Sequence, residues 1–65
     1  MYQVQQQNKT FERTMSVKRA QRIPGVAELL SFEAEHGGLG NVAVVTFEKT
    51  ADGEEFPVSV YTYLA

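Results

Sequence analysis

The chain lacks cysteine, and this absence removes two common ways of stabilising a small domain. Without thiols, neither a disulfide nor a thiolate zinc site can form. A chain of 65 residues buries only about 60% of the surface that its unfolded form exposes. Its stability therefore depends on close packing or on oligomerisation. We expect one small domain that spans residues 1–65.

Long apolar runs are also missing. No run approaches the roughly 20 apolar residues of a transmembrane helix, and the first residues have neither the basic nor the apolar segment of a signal peptide. Hydrophobic residues still make up 43% of the chain, which is typical of a globular domain. We therefore expect a soluble, cytoplasmic protein with no membrane partner.

Basic residues are scarce beyond residue 25. Residues 1–25 contain five basic residues and one acidic residue, whereas residues 26–65 contain seven acidic residues and only Lys49. The net charge is −2. Such segregation can indicate a charged partner, although in so short a chain it can also arise by chance.

Catalytic and metal-binding patterns are absent from the sequence. The one histidine, His36, would point away from Glu33 and Glu35 on a strand, so we interpret it as a loop residue. The glycine-rich segment 37–40 precedes a strand rather than a helix, so it is better explained by a hairpin loop than by phosphate binding. No serine lies in a nucleophile motif. We expect no enzyme activity, no metal and no cofactor.

Alternating apolar residues in the C-terminal part predict an antiparallel three-stranded meander. Its strands are residues 29–35, 41–49 and 54–64, joined by segments 37–40 and 50–53. With His36 opposite Asn41, and Lys49 opposite Glu54, one apolar face crosses all three strands. That face consists of Leu30, Phe32, Ala34, Val45, Phe47, Phe56, Val58 and Val60. Pro57 cannot donate a ladder hydrogen bond, which predicts an edge position for the last strand.

The segment 26–36 is ambiguous. Its alanine, glutamate and leucine residues favour a helix with Gly37 as its C-cap. The strict alternation of Leu30, Phe32 and Ala34, and its agreement in register with the next strand, favour a strand. We predict the strand; in the alternative the chain is a hairpin, a kinked helix and a second hairpin.

The N-terminal part predicts a strand or hairpin followed by a short helix. Residues 2–7 and 10–15 read as two strands with a turn between them, or as one long bent strand. Phe11, Arg13 and Met15 then share one side. Ser16 suits the N-cap of a helix over 17–22, which the Pro24-Gly25 turn ends. The inward residues of this region are Val17, Ala20 and Ile23, and the basic residues on its outer side are Lys18, Arg19 and Arg22.

These elements predict an α+β fold. A small antiparallel sheet, formed by the C-terminal meander and the N-terminal strand or hairpin, packs its apolar face against one short helix.

The second face of the predicted meander is the leading candidate for a binding surface. It is predicted to carry Glu33, Glu35, Glu48, Glu55, Tyr61 and Tyr63, with Val42 and Val44 between the carboxylates. One interpretation is an ordinary solvated face. The other is a docking surface, on which the tyrosines anchor and the carboxylates steer a basic partner.

The layout resembles that of small phage-encoded proteins that bind and inhibit host machinery, including some anti-CRISPR proteins. The resemblance lies in the strand ending Phe11-Glu12-Arg13-Thr14-Met15-Ser16, the basic helix Val17-Lys18-Arg19-Ala20-Gln21-Arg22-Ile23 and the tight meander after it. It covers the chain in outline and transfers no functional residue. It implies a non-catalytic protein, located in the host cytoplasm, that blocks a host nucleic-acid-handling complex.

The leading hypothesis is therefore a protein–protein interaction domain, and specifically an inhibitor, whose acidic, aromatic face contacts a basic host protein. One alternative is a small nucleic-acid-binding module that uses Lys18, Arg19 and Arg22, together with Lys9 and Arg13. The net negative charge argues against tight binding to nucleic acid. A structural homodimer is the third alternative.

Overall fold

A computed structural model of the chain describes residues 9–65. The elements in chain order are β1 (Lys9–Ser16), α1 (Val17–Ala20), α2 (Val26–Gly37), β2 (Val42–Lys49) and β3 (Glu55–Tyr63). The strands form one antiparallel sheet in the order β1-β2-β3. This arrangement confirms the predicted α+β class. The predicted strand over residues 2–7 lies outside the described residues.

The segment 26–36 is helical, so the strand predicted over residues 29–35 is wrong. Helix α2 buries Val26 and Leu30, while Leu29 and Glu33 are half-buried. Spacings of three and four residues place this stripe on one side of a helix. The alternation that suggested a strand is misleading, because Phe32 is 62% exposed and Ala34 is also exposed. The helical propensity of the segment prevails.

Strand β1 takes the place in the sheet that had been predicted for residues 29–35. It pairs with β2 so that Phe11 lies opposite Phe47 and Met15 lies opposite Ala43. The rings of Phe11 and Phe47 stack with their centroids 5.3 Å apart. Phe11, Arg13 and Met15 share one side of β1, as predicted.

The predicted pairing of β2 with β3 is wrong in register, with one offset at the turn and a second at a local irregularity. Lys49 pairs with Glu55 rather than Glu54, and the register then shifts between Thr46 and Phe47. Val58 has no partner on β2, as at a β-bulge. In a regular strand Pro57 and Ser59 would point to the same side of the sheet, but the extra residue between them places them on opposite sides. The shift adjoins Pro57. The predicted edge position of this strand is confirmed.

Helix α1 begins where the sequence predicted and is shorter than predicted. The Ser16 hydroxyl oxygen accepts a hydrogen bond of 3.2 Å from the Arg19 amide, which confirms the predicted N-cap. The α-helix ends at Ala20 rather than Arg22, and a turn leads to Gly25. Gly25, at a φ of +89°, precedes α2. A left-handed conformation of this kind suits glycine.

The core lies between β2 and the two helices. Its buried members are Ala20, Val26, Leu30, Ala43, Val45 and Phe47, and the half-buried residues around it are Phe11, Met15, Val17, Ile23 and Val60. Phe56 and Val58, predicted to be buried, are 40% and 42% exposed. Phe56 lies on the other side of the sheet because Glu55 rather than Glu54 pairs with Lys49, and Val58 is the unpaired residue at the bulge.

The predicted connection over residues 50–53 is present as a hairpin turn. The Thr50 hydroxyl donates a hydrogen bond of 2.6 Å to an Asp52 carboxylate oxygen and accepts one from the Glu54 amide. The first of these bonds holds the pKa of Asp52 below its usual value. Gly53 supplies the positive φ of +92° that the turn requires.

Candidate functional site

The helices cover only one side of the sheet. Helix α2 packs against β3, and α1 packs against β1 and β2. Ala43, Val45 and Phe47 of β2 point toward these helices. The other side of the sheet carries no helix among residues 9–65, and we call it the open face.

Paired residues in a sheet share a side, so the register defines the open face. Each of its four rows crosses β1, β2 and β3 in that order. The rows are Thr10, Glu48 and Phe56; Glu12, Thr46 and Ser59; Thr14, Val44 and Tyr61; and Ser16, Val42 and Tyr63.

Aromatic side chains on β3 dominate this face. Phe56, Tyr61 and Tyr63 are 40%, 53% and 44% exposed. Val44, opposite Tyr61, is only 5% exposed, and Val42 is half-buried. The two tyrosines and the two valines form an apolar strip with its aromatic edge exposed to solvent.

The charge on the open face has one sign. The acidic residues in its rows are Glu12 and Glu48, and no lysine or arginine occupies any of these rows. Within residues 9–65 the one ion pair is Lys49 with Glu55, at 4.0 Å, so neither carboxylate of the open face is neutralised by a salt bridge there.

The structure brings together only part of the predicted acidic, aromatic surface. Glu48, Tyr61 and Tyr63 lie on the open face, but Glu33 and Glu35 lie on α2. Glu55 lies on the helix side of the sheet, opposite Lys49. The predicted repulsion between Glu48 and Glu55 is therefore absent, because Phe56 is the residue opposite Glu48.

Among the charged and aromatic residues of the open face, two were not predicted, Glu12 and Phe56. Phe11 and Arg13 were predicted to share one side of β1, and the same alternation places Glu12 on the other side. Phe56 reaches the open face because Glu55, and not Glu54, pairs with Lys49. The bulge at Val58 then keeps Tyr61 on this face, and the neighbouring proline at position 57 is the available signal for that bulge.

The predicted basic residues do come together. Lys18, Arg19 and Arg22, with Ser16, line a shallow depression beside α1. Next to it lies a larger cleft of about 440 Å³, which we call the basic cleft. Its lining includes Arg13, Arg19 and Arg22, the apolar side chains of Met15, Ile23 and Phe47, and Glu55.

His36 and the glycine segment differ from their predicted roles as parts of a hairpin loop. His36 lies in the last turn of α2, where its Nδ1 is 2.9 Å from the Phe32 carbonyl oxygen and its ring stacks on Phe32. Gly38, at a φ of +81°, ends the helix, and the segment then leads into β2. In the described part of the chain, His, Cys, Asp and Glu side chains form no group of three or more that could hold a metal ion.

Comparison with protein-family models, with curated proteins and with solved structures finds no match to this chain. No helix within residues 9–65 has the length and apolar character to cross a membrane. The surfaces described above are therefore the basis for the functional proposals.

Proposed function

We propose that the protein is a non-catalytic protein–protein interaction domain that docks through the open face onto a basic partner protein. One observation carries the proposal. Three exposed aromatic side chains, Phe56, Tyr61 and Tyr63, share the open face with Glu12 and Glu48, and within residues 9–65 no helix covers this face and no basic residue occupies its rows.

The aromatic residues supply the attraction in this proposal. Tyrosine and phenylalanine bury a large area, and tyrosine also offers a hydroxyl that remains hydrogen-bonded at an interface. Tyrosine is one of the residues enriched at binding hot spots. On β3 the tyrosines project from a paired strand, so little backbone conformational entropy is lost when they dock.

The carboxylates define the chemistry of the partner. A surface with Glu12 and Glu48 and no cation attracts a lysine- or arginine-rich surface and repels an acidic one. A nucleic-acid-binding protein of the host presents such a surface, and in this proposal the open face occupies it in the host cytoplasm. Inhibition of that host complex remains a prediction that rests on the resemblance described above.

A second copy of the chain fits the open face less well. A two-fold dimer through this face would bring the Glu12 and Glu48 carboxylates of both copies to one interface. Like charges without partners oppose burial. We therefore favour a different, basic protein as the occupant.

An affinity pull-down from host lysate with nuclease tests the proposal. We expect the full chain to capture a basic protein with and without nuclease, and the Tyr61→Ala variant to lose it. Capture that disappears after nuclease treatment in the wild-type chain would argue for a nucleic-acid link instead.

Reversal of one open-face charge should act on the rate of association. With the captured partner, we expect Glu48→Lys to slow association and to flatten its dependence on salt, because Glu48 is one of two carboxylates that steer the encounter. Surface plasmon resonance at two ionic strengths measures both effects. Glu35→Lys makes the same charge change on α2 and is the matched control. Equal effects of the two variants would show that overall charge, rather than the open face, sets the rate.

Removal of an aromatic anchor should act on the residence time. We expect Tyr61→Ala to accelerate dissociation of the captured partner at least tenfold, which corresponds to about 1.4 kcal/mol, while association changes little. The matched control is Phe32→Ala, which truncates an exposed aromatic residue on α2. Faster dissociation with Phe32→Ala and none with Tyr61→Ala would place the contact on the helices.

A further inference from the structure

We infer that the basic cleft is a binding site for a nucleotide with a terminal phosphate, on the side of the sheet opposite the open face. The cleft joins three guanidinium groups, an apolar lining and one carboxylate within about 440 Å³. Small-molecule sites commonly measure roughly 300–1,000 Å³. The inference is independent of the docking proposal, because no residue of the cleft belongs to the open face.

The arginines form the anion-binding end of the cleft. Arg13, Arg19 and Arg22 have no carboxylate within 4.0 Å in the described part of the chain. Three guanidinium groups around one cleft repel one another, and a bound anion relieves that repulsion. Arginine also binds phosphate oxygens through paired hydrogen bonds, which lysine cannot match.

Local contacts position the Arg13 guanidinium group and the backbone of the other two arginines. The guanidinium carbon of Arg13 lies 5.3 Å from the centroid of the Phe11 ring and 6.0 Å from that of Phe47, within the range of cation–π attraction. The Arg19 amide donates to the Ser16 hydroxyl at the start of α1, and the Arg22 amide donates to the Arg19 carbonyl at 3.1 Å. These backbone bonds fix where the Arg19 and Arg22 side chains begin, beside the cleft that both of them line.

The number of arginines favours a phosphate monoester over the phosphodiesters within a nucleic-acid strand. A terminal phosphate carries a charge of about −1.5 to −2 at neutral pH and presents three strong acceptor oxygens. An internal phosphodiester carries a single charge. The prediction that long nucleic acids do not bind tightly is consistent with this preference.

The rest of the cleft matches the other parts of a nucleotide. Met15 and Ile23, which are half-buried, offer an apolar surface to a flat base, with the buried Phe47 beneath them. Glu55 pairs in the sheet with Lys49 and Arg13 pairs with Val45, so they are four rows apart along the sheet. At about 3.3 Å per residue along the strands and about 4.8 Å between neighbouring strands, their Cα atoms are roughly 16 Å apart, because β1 and β3 lie on either side of β2. Both side chains line the cleft between these points. The Glu55 carboxylate therefore accepts hydrogen bonds from the base amino or ribose hydroxyl groups of a nucleotide, and the ring of a phosphotyrosine has no such donors.

Isothermal titration of the full chain with adenosine 5′-monophosphate, adenosine and inorganic phosphate tests the inference. We expect the nucleotide to bind more tightly than either fragment. Arg19→Gln and Arg22→Gln should each weaken nucleotide binding about tenfold. Lys18→Gln removes the same charge next to the cleft without lining it, and should leave the affinity unchanged. Circular dichroism verifies that each variant is folded.

Glu55→Gln distinguishes recognition of a nucleotide from simple attraction of an anion. We expect this variant to weaken binding of the nucleotide and not of inorganic phosphate. Tighter binding of both ligands would show that Glu55 only repels anions and would overturn its proposed role.

Oligonucleotides identify the source of the ligand. Binding of a 5′-phosphorylated trinucleotide, but not of its 5′-hydroxyl form, would assign the site to the 5′ ends of nucleic acids. Binding of the mononucleotide alone would assign it to free nucleotides.

Three results would overturn the inference: equal binding of the 5′-hydroxyl trinucleotide, binding of a phosphotyrosine peptide as tight as that of the nucleotide, or no binding of any ligand at millimolar concentration.

Discussion

Replacement of Phe47 by alanine is expected to lower the free energy of unfolding by about 3–5 kcal/mol. Phe47 is 7% exposed, belongs to the central strand and stacks on Phe11 across the sheet. Its removal leaves a cavity between the sheet and the helices, because Phe47 belongs to the buried core there. Small domains have stabilities of the same size as this loss. We therefore expect the variant to be largely unfolded even without denaturant, as measured by circular dichroism at the start of a urea titration.

Phe32→Ala is the control for this prediction and also tests the assignment of α2. Phe32 is exposed on the helix, so its truncation should change stability by no more than about 0.5 kcal/mol. If residues 29–35 were a strand with Phe32 in the core, the two variants would be destabilised to a similar degree. Equal losses would therefore contradict the helix.

Replacement of Gly40 by alanine is expected to lower the free energy of unfolding. The expected loss is at or above the upper end of the range of about 1–3 kcal/mol that is typical of overpacking. A β-carbon at Gly40 would lie 2.8 Å from the Tyr63 Cα and closer still to the Tyr63 carbonyl group. Backbone atoms cannot rotate away as a side chain does. Both sides of the contact are also tied together, because the Gly40 amide donates to the Thr62 hydroxyl at 2.9 Å and the Asn41 amide donates to the Tyr63 carbonyl at 3.0 Å.

Gly37→Ala is the matched control for Gly40→Ala. Nothing lies within 4 Å of a β-carbon at Gly37, which occupies the last position of α2. Alanine is favoured over glycine in helices by up to about 1 kcal/mol. The free energy of unfolding of this variant should therefore equal or exceed that of the wild type. Thermal unfolding compares the two. A loss with Gly37→Ala that matched the loss with Gly40→Ala would show that the close approach to Tyr63 is not the cause.

Local sequence signals predicted β1, the start of α1 and the turn between β2 and β3. The alternation of Phe11, Arg13 and Met15 marked β1, the Ser16 hydroxyl marked the start of α1, and Gly53 marked the hairpin turn. Each of these signals depends on neighbours within a few residues. The physical reasons for them are present in the sequence itself.

Signals that depend on tertiary contacts were less informative. Residues 29–35 and β1 both offer apolar residues in a register that suits β2, and the sequence alone could not decide which one pairs with it. The helical propensity of Ala27, Glu28 and Leu29 was the better guide. The pairing of Lys49 with Glu55 rather than Glu54 brings Phe56 instead of Glu55 to the open face, and the alternation within residues 54–64 did not predict this one-residue offset.

The charged residues in the rows of the open face are carboxylates alone, whereas the helix side carries the basic cleft together with Glu55. Glu12 and Glu48 lie on the open face, while Arg13, Arg19 and Arg22 lie at the basic cleft on the helix side. The alternation of β1 produces part of this separation, since adjacent residues Glu12 and Arg13 point to opposite sides. Variants of one side should therefore leave ligand binding at the other side unchanged, which keeps the two proposals separable by experiment.

Site-specific photo-crosslinking tests docking through the open face most directly. A benzophenone amino acid is placed at position 61 on the open face or at position 32 on α2, both of which are exposed aromatic positions. Each variant is irradiated in host lysate, and the products are identified by mass spectrometry. We predict a covalent product with a basic protein from position 61 and none from position 32. A product from position 32 alone would contradict the account, because it would place the partner on the helices rather than on the open face.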